Sequence, residues 1–295
     1  MKSVYLVAII ITILIGSFFN WILCCDAIAE EVVVERTVVE KTLPVNPLII
    51  EDSTGTFSYR TNDNFNFHES DFIILRPLEN GVDEGIEKLN DYISPNEQKF
   101  IDVTGFYAAN ERNNSAFPNL GLARANSVKN HLIAMGISSK KINTYGEIKE
   151  DLVVNDSIYV GPVAFLITED SNFKNAEAVI ARIKEEPIVL YFETGKSTIT
   201  LTDEQRAKYL DIVRAMDKVD DISVVIYGHT DSTGSTENNM ALGKGRAEFI
   251  KSYLVRNGIP ETSIETISKG EQEPVADNNT TEGRAKNRRT VITIK

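Results

Sequence analysis

A few side chains in the last third of this chain have types that do chemistry: Glu193, His229, Asp231, Arg246 and the basic run Arg284, Lys286, Arg288 and Arg289. Two carboxylates can act as acid and base, or acid and nucleophile, on a sugar linkage when they flank it at about 5–9.5 Å, which makes Glu193 and Asp231 a candidate pair. His229 has no second histidine near it, and no cysteine follows Cys25, so a zinc site lacks ligands. No Ser–His or Cys–His constellation stands out for nucleophilic catalysis. The basic run would suit phosphates, but it has acidic neighbours, and the chain carries 43 acidic against 31 basic residues, net −12. A nucleic-acid binder needs the opposite balance to replace counterions. Taken alone, Asp231 reads as a surface-loop acid, Arg246 as half of a helix salt bridge, and His229 as a brace for its loop. Asn278 and Asn279 fit N-x-[ST] glycosylation acceptors, a chance match.

The elements that would hold these residues follow from length and pattern. With 295 residues, 42 % of them apolar and 25 % charged, the chain has room for about two globular domains and is neither disordered nor a multi-span membrane protein. The stretch from Pro187 is nearly balanced in charge, so the acidic surplus lies before it. Cys24 and Cys25 are adjacent and stand before the folded part, which excludes a disulfide framework there.

An internal repeat organises the rest. At an offset of 122, LGLARANSVKNHLIAMGISSKKINT (120–144) overlays LGKGRAEFIKSYLVRNGIPETSIET (242–266), with Arg124 on Arg246, Ala125 on Ala247, Lys129 on Lys251 and Gly136 on Gly258. Upstream, IDVTGFYAAN (101–110) is set against ISVVIYGHTD (222–231), and Phe65-Asn66-Phe67 against Leu190-Tyr191-Phe192. In the second copy Ile188–Phe192 is a β-branched and aromatic strand. Thr202 with Gln205 makes a capping box for a helix with Leu210, Val213 and Met216 inward. Ile222–Tyr227 is a buried strand, a polar loop follows, and Leu242–Val255 is an amphipathic helix stopped at Gly258. Ser263–Ile267 is a short strand, a polar loop runs to Arg289, and Thr290–Ile294 is the last strand. The order β-α-β-α-β-β predicts a small sheet covered on one face by helices.

Four segments, YFETGKS (191–197), GHTDSTGSTENNMALGKGRA (228–247), ISKGEQEPVADN (267–278) and EGRAKNRRTVI (282–292), resemble in order and spacing the OmpA-like C-terminal domain family over about 105 residues. The resemblance implies non-covalent binding of peptidoglycan through the diaminopimelate of the stem peptide, with no enzymatic role and no cofactor. It implies that Asp231 takes the ammonium and that Arg246, fifteen residues later, pairs with a carboxylate. Charge-assisted bonds of this kind are worth about 1.5–3 kcal/mol each. By the same resemblance Thr230 and Leu242 line the site, Asn239 is the loop asparagine before the helix, Glu193 stands where the family has aspartate, and Arg288 closes one side. Gly243 replaces a more usual serine.

The first copy departs from this pattern. Ala108 stands opposite Asp231, nothing like Asn287-Arg288-Arg289 precedes its last strand, and Arg124 is left without the family's acidic partner. The expectation is a copy that keeps the fold and has lost the ligand, serving as a spacer, a homodimer contact or a contact for another envelope protein.

Val4–Leu23 is an apolar run of the length that spans a bilayer, flanked by Lys2 before and Asp26 after. The expectation is a single N-terminal membrane helix with the domains in the periplasm of a Gram-negative-type bacterium, inner or outer membrane left open. A cleaved signal peptide ending at Ala27-Ile28-Ala29 is the alternative, and a lipoprotein fits less well. The fold class expected is thus α+β: two tandem β-α-β-α-β-β sandwich domains, at 61–170 and 186–295, behind residues 1–25 as anchor and 26–60 as spacer, with a linker at 171–185. An envelope scaffold, a peptidoglycan-cleaving enzyme and an ion-driven motor subunit are the competing functions. The last needs an ionisable group in the span, and Val4–Leu23 has none.

Overall fold

Runs of β-branched residues bounded by turn formers become strands here, and apolar residues at helical spacing become the helices between them. The computed structural model describes residues 11–18, 46–171, 175–192 and 200–295. They belong to two units, Met1–Thr42 and Leu43–Lys295. In the first, residues 11–18 form helix α1, and their side chains are exposed. The membrane helix expected over 4–23 is corrected by this: among the described residues no helix is long and apolar enough to cross a membrane. The rest of the apolar run, Cys24, Cys25 and the Ala27-Ile28-Ala29 site lie outside the described residues.

The second unit opens with β1 (Leu48–Asp52), β2 (Ser58–Thr61), β3 (Asn66–His68), α2 (Asn80–Ile93), β4 (Phe100–Tyr107), α3 (Leu120–Ala134), β5 (Ile142–Ile148), β6 (Val154–Asn155), β7 (Ile158–Val160) and β8 (Val163–Thr168). It continues with α4 (Ala176–Glu185), β9 (Ile188–Tyr191), α5 (Asp203–Lys218), β10 (Val224–His229), α6 (Thr236–Arg256), β11 (Ile264–Gly270), α7 (Thr281–Asn287) and β12 (Arg289–Ile294). The first copy builds a sheet in the order β2-β1-β8-β4-β5, the second in the order β11-β10-β12-β9, and β3-β7-β6 make a small sheet of their own. In each copy the central strand pairs parallel to the next strand and antiparallel to the last, β4 with β5 and β8, β10 with β11 and β12.

The copies differ at the far edge. Residues 66–68 do not stand where Leu190-Tyr191-Phe192 stands; they form β3 in the small sheet. The place beside β8 belongs to β1, which runs parallel to it, whereas β9 runs antiparallel to β12. Strands β1 and β2 come from the 26–60 stretch expected as a spacer. Their turn is chemically specified: the Asp52 carboxylate accepts from the Thr54 amide at 2.8 Å, and Gly55 takes φ +75°. The stretch expected as a linker likewise carries α4, with Ile183 buried.

Local signals explain the helices. Both halves of the Thr202–Gln205 capping box are present. Helix α6 begins at Thr236, capped by Ser235, six residues before the expected start, because its first turns are polar and carry no apolar stripe to read. The polar loop expected before Arg289 contains α7 for the same reason. Close backbone approach fixes the register of the two copies. A Cβ on Gly105 would collide with the Gly121 carbonyl, and one on Gly228 with the Gly243 carbonyl. Gly105 therefore corresponds to Gly228, two residues from the overlay of 101–110 on 222–231, and Ala108 does face the position of Asp231.

The first copy has a core of its own, with Ile50, Phe65, Leu89, Val103 and Leu132 at its centre, and its opposite face joins the core of the second copy. Phe72, Ala116, Phe117, Leu120, Leu122 and Ala123 of the first cluster with Tyr209, Leu210, Ile250 and Leu254 of the second. Phe117 meets Tyr209 edge to face, ring centroids 5.0 Å apart. Polar contacts line the same seam. The Ala116 amide donates to Asn257 Oδ1 at 2.7 Å, Lys129 Nζ pairs with Asp217 at 2.6 Å, and Lys218 Nζ donates to the carbonyls of Lys140 and Ile142 at 2.9 and 2.8 Å.

Candidate functional site

The end of β10 and the loop after it carry His229, Thr230 and Asp231; α6 carries Asn239, Leu242 and Arg246; the turn between α7 and β12 carries Arg288. The structure gathers most of these. Asp231, 9 % exposed, accepts from Arg288 Nη1 at 2.9 Å on one oxygen and from the Thr233 amide at 2.9 Å on the other. Burial pushes the Asp231 carboxyl up, but the bonds from Arg288 and Thr233 outweigh it and hold the group below its ordinary value. Asp231 is therefore a fixed anion at neutral pH.

Arg246 projects from α6 one turn after Gly243, whose contact with Gly228 brings the helix to backbone distance from β10. Its Nη1 donates to the His229 carbonyl at 2.7 Å, and its guanidinium lies 5.7 Å from the Phe192 ring centroid. Among the described residues it makes no other hydrogen bond. Burial and the neighbouring Arg288 pull the Arg246 guanidinium below its ordinary value, and Asp231 pulls it back. The three groups thus feel one another, and their sum is one net positive charge.

Two buried polar atoms beside them, Thr230 Oγ1 and Arg288 Nε, have no hydrogen-bond partner among the described residues. Thr230 itself is held by its amide, which donates to the Gly270 carbonyl at 2.8 Å. Leu242 is 50 % exposed, one helical turn before Arg246 on the same face. Glu193 lies outside the described residues. Asn239 sits within α6 rather than in a loop before it, nearly buried, and donates to Glu271 Oε2 at 2.5 Å.

Two residues that shape the site, Glu271 and Asn287, were not singled out from the sequence. Glu271 also accepts from Thr236 Oγ1 at 2.9 Å, so it ties the first turn of α6 to the end of β11. Asn287 is fully buried; its Oδ1 accepts from the amides of Val275 and Ala276, and its Nδ2 donates to Ala276 O and Asn278 Oδ1. It shapes the 274–278 loop and thereby sets Arg288, its neighbour. The available signal was the Asn-Arg-Arg motif, in which the arginine drew attention and the asparagine did not. His229 is buried, and burial together with Arg289 lowers its pKa to about 4, so it is neutral at pH 7.

The first copy supplies an acid the sequence reading did not name. Arg124, with Ala108 where the family's acid would stand, pairs instead with Glu111, thirteen residues before it, and both side chains are fully buried. Its site is closed.

The second site holds groups that can recognise a charged ligand. An anion with spare lone pairs stands beside a guanidinium with spare donors, an arrangement able to accept from a cation at one end and donate to an anion at the other. The paired partner of Asp231 is a cation, not a second carboxylate.

Comparison with known proteins gives a consistent picture. The model of the OmpA family matches residues 70–160 and 191–288, more than half of the chain. Outer membrane protein A of Bordetella avium is 39 % identical over 104 residues, 35 % of this chain and 53 % of that protein. A peptidoglycan-associated lipoprotein of Pseudomonas putida is 35 % identical over 120 residues, 39 % of this chain and 70 % of that protein. The peptidoglycan-binding protein ArfA of Mycobacterium bovis is 42 % identical over 91 residues, 30 % of this chain and 28 % of that protein. The chain thus spans about half the length of the outer membrane protein A it matches.

Proposed function

Since the chain belongs to the OmpA family, we propose that it binds peptidoglycan non-covalently, at the cell envelope, through the second copy. The ligand group is the free end of a diaminopimelate residue in the stem peptide, which offers one ammonium and one carboxylate. Asp231 takes the ammonium and Arg246 the carboxylate. Arg288 holds Asp231 ionised and aimed. Thr230 Oγ1 and the remaining Arg288 donors complete the polar lining, and Asn239, braced by Glu271, fixes the helix that presents Arg246. Leu242 and Glu193 are placed at the rim by family resemblance.

The observation that carries this reading is the partly buried Asp231–Arg288 pair beside an arginine with unused donors. A structural salt bridge would consume both charges. Here the trio keeps an excess of donors, which suits an amino-acid end. Relatives named for peptidoglycan association or binding support the same assignment. The reading is binding without catalysis, in keeping with relatives named for binding or association; Glu193, the second carboxylate that cleavage of a sugar bond would need, lies outside the described residues.

The test is competition. Full-length chain is co-sedimented with diaminopimelate-containing sacculi while free diaminopimelate or free lysine is added. Displacement by diaminopimelate and not by lysine supports the reading. Equal indifference to both, with sedimentation intact, assigns binding to some other feature of the wall.

A further inference from the structure

The repeat mates Arg124 and Arg246 stand at the same place on the same helix and meet opposite fates. Arg246 is half-buried and makes one hydrogen bond among the described residues. Arg124 is wholly buried, and each of its three nitrogens is engaged. Nε donates to the Asp71 carbonyl at 3.0 Å, Nη1 to the Phe106 carbonyl at 2.8 Å and to Glu111 Oε2 at 3.0 Å, and Nη2 to Glu111 Oε1 at 2.5 Å and to the His68 carbonyl at 3.4 Å. The bond to Phe106 repeats the bond of Arg246 to His229, its counterpart in register, so the arginine has not moved; its surroundings have.

Three additions surround it. The 108–119 loop brings the Glu111 carboxylate onto the guanidinium in a two-pronged pair. That carboxylate is itself completed by backbone amides, Ser70 N on Oε1 and Ala108 N on Oε2, each at 2.9 Å. The small sheet then roofs the pair, with Phe67 and Tyr159 placing their rings 5.5 and 5.0 Å from the guanidinium carbon. Every feature of a carboxylate-binding site is present: a planar donor fork, two amides aimed at the same anion, and exclusion of water.

We infer that the first copy retains a carboxylate-binding site on Arg124, Ser70 N and Ala108 N, and that the chain fills it in cis with the Glu111 side chain. The ligand class of the site is a small aliphatic carboxylate. The first copy is then self-liganded rather than eroded, which explains why its arginine persists where Asp231 has no counterpart. The comparison with Arg246 rests on reading that residue as a carboxylate binder; the test below involves the first copy alone, so its failure leaves the second site's reading intact.

The experiment is replacement of the side chain by its missing atoms. Glu111→Ala in the full chain removes a two-carbon carboxylate, and acetate is a molecule of that size. Without acetate the variant should melt about 10 °C below wild type, because a buried guanidinium has lost the carboxylate it pairs with. Sodium acetate should raise its melting midpoint saturably, while sodium chloride at equal ionic strength should not. The Arg124→Met/Glu111→Ala double variant should show no acetate-specific response. An equal response of Glu111→Ala to the two salts, or the same acetate response in the double variant, overturns the proposal. If Glu111→Ala does not fold unaided, its refolded yield is compared in acetate and in chloride: higher yield in acetate supports the site, and equal yields overturn it.

Discussion

Arg288 Nη1 lies 2.9 Å from Asp231 Oδ2, an ion pair that joins positions 57 residues apart in sequence. It ties the turn before β12 to the loop after β10, and so assembles the two sides of the site before any ligand arrives. Preorganisation of this kind lowers the ordering cost of binding.

One consequence is a shift in acid sensitivity. The Asp231 carboxyl, with an ordinary value of 3.8, is depressed in the fold, chiefly by the Arg288 bond working against burial. The stabilisation is fully present above that ordinary value and is lost as pH falls through the lower folded value. In Arg288→Ala burial acts with less opposition, the folded value rises, and the loss should begin at a higher pH. Urea unfolding at a series of acidic pH values checks this; an unchanged acid limb in the variant would show that the pair contributes nothing.

His229 gives a second pH dependence, at milder acidity. Its pKa falls from 6.5 to about 4 on folding, through burial and the charge of Arg289. The unfolded chain therefore binds a proton that the folded chain refuses, and stability declines as pH drops from 6.5 to 4, by up to about 3 kcal/mol. His229→Gln should flatten the stability profile across that window. A variant with the same slope as wild type would assign the slope to other groups.

How much of this was legible is seen residue by residue. Thr202 and Gln205 announced their helix because capping is a local code, and Gly258 announced a stop for the same reason. Asp231, Arg246 and Arg288 were singled out through spacing shared with a family, not through any property of their own, and the fold brings the three together. Glu111 was missed because the pairing depends on a loop path that sequence periodicity does not carry; an acid near Arg124 was visible, its direction was not. The hairpin of β1 and β2 was missed because LIIED follows a run of charged and proline residues that reads as a tether. The seam was missed because Phe117 and Tyr209 each look like the core of their own copy.

That seam makes a prediction about cooperativity. Since Phe117 and Tyr209 belong to one core, the two copies should unfold in a single calorimetric transition. Phe117→Ala should cost about 3–5 kcal/mol and destabilise both copies together. Two separated transitions in the wild-type chain would show that the copies fold independently.

The account stands most directly on one comparison, sedimentation of the full chain and its variants with diaminopimelate-containing sacculi, with circular dichroism as the fold control. Asp231→Ala and Arg246→Ala should each keep the fold and lose binding equivalent to about 2–5 kcal/mol, since each leaves an opposite charge of the ligand desolvated and unpaired. Arg124→Ala should invert the result, costing about 3–5 kcal/mol of stability by stranding Glu111 while its folded fraction still binds. Folded Asp231→Ala and Arg246→Ala variants that sediment as well as wild type would contradict the assignment of the site.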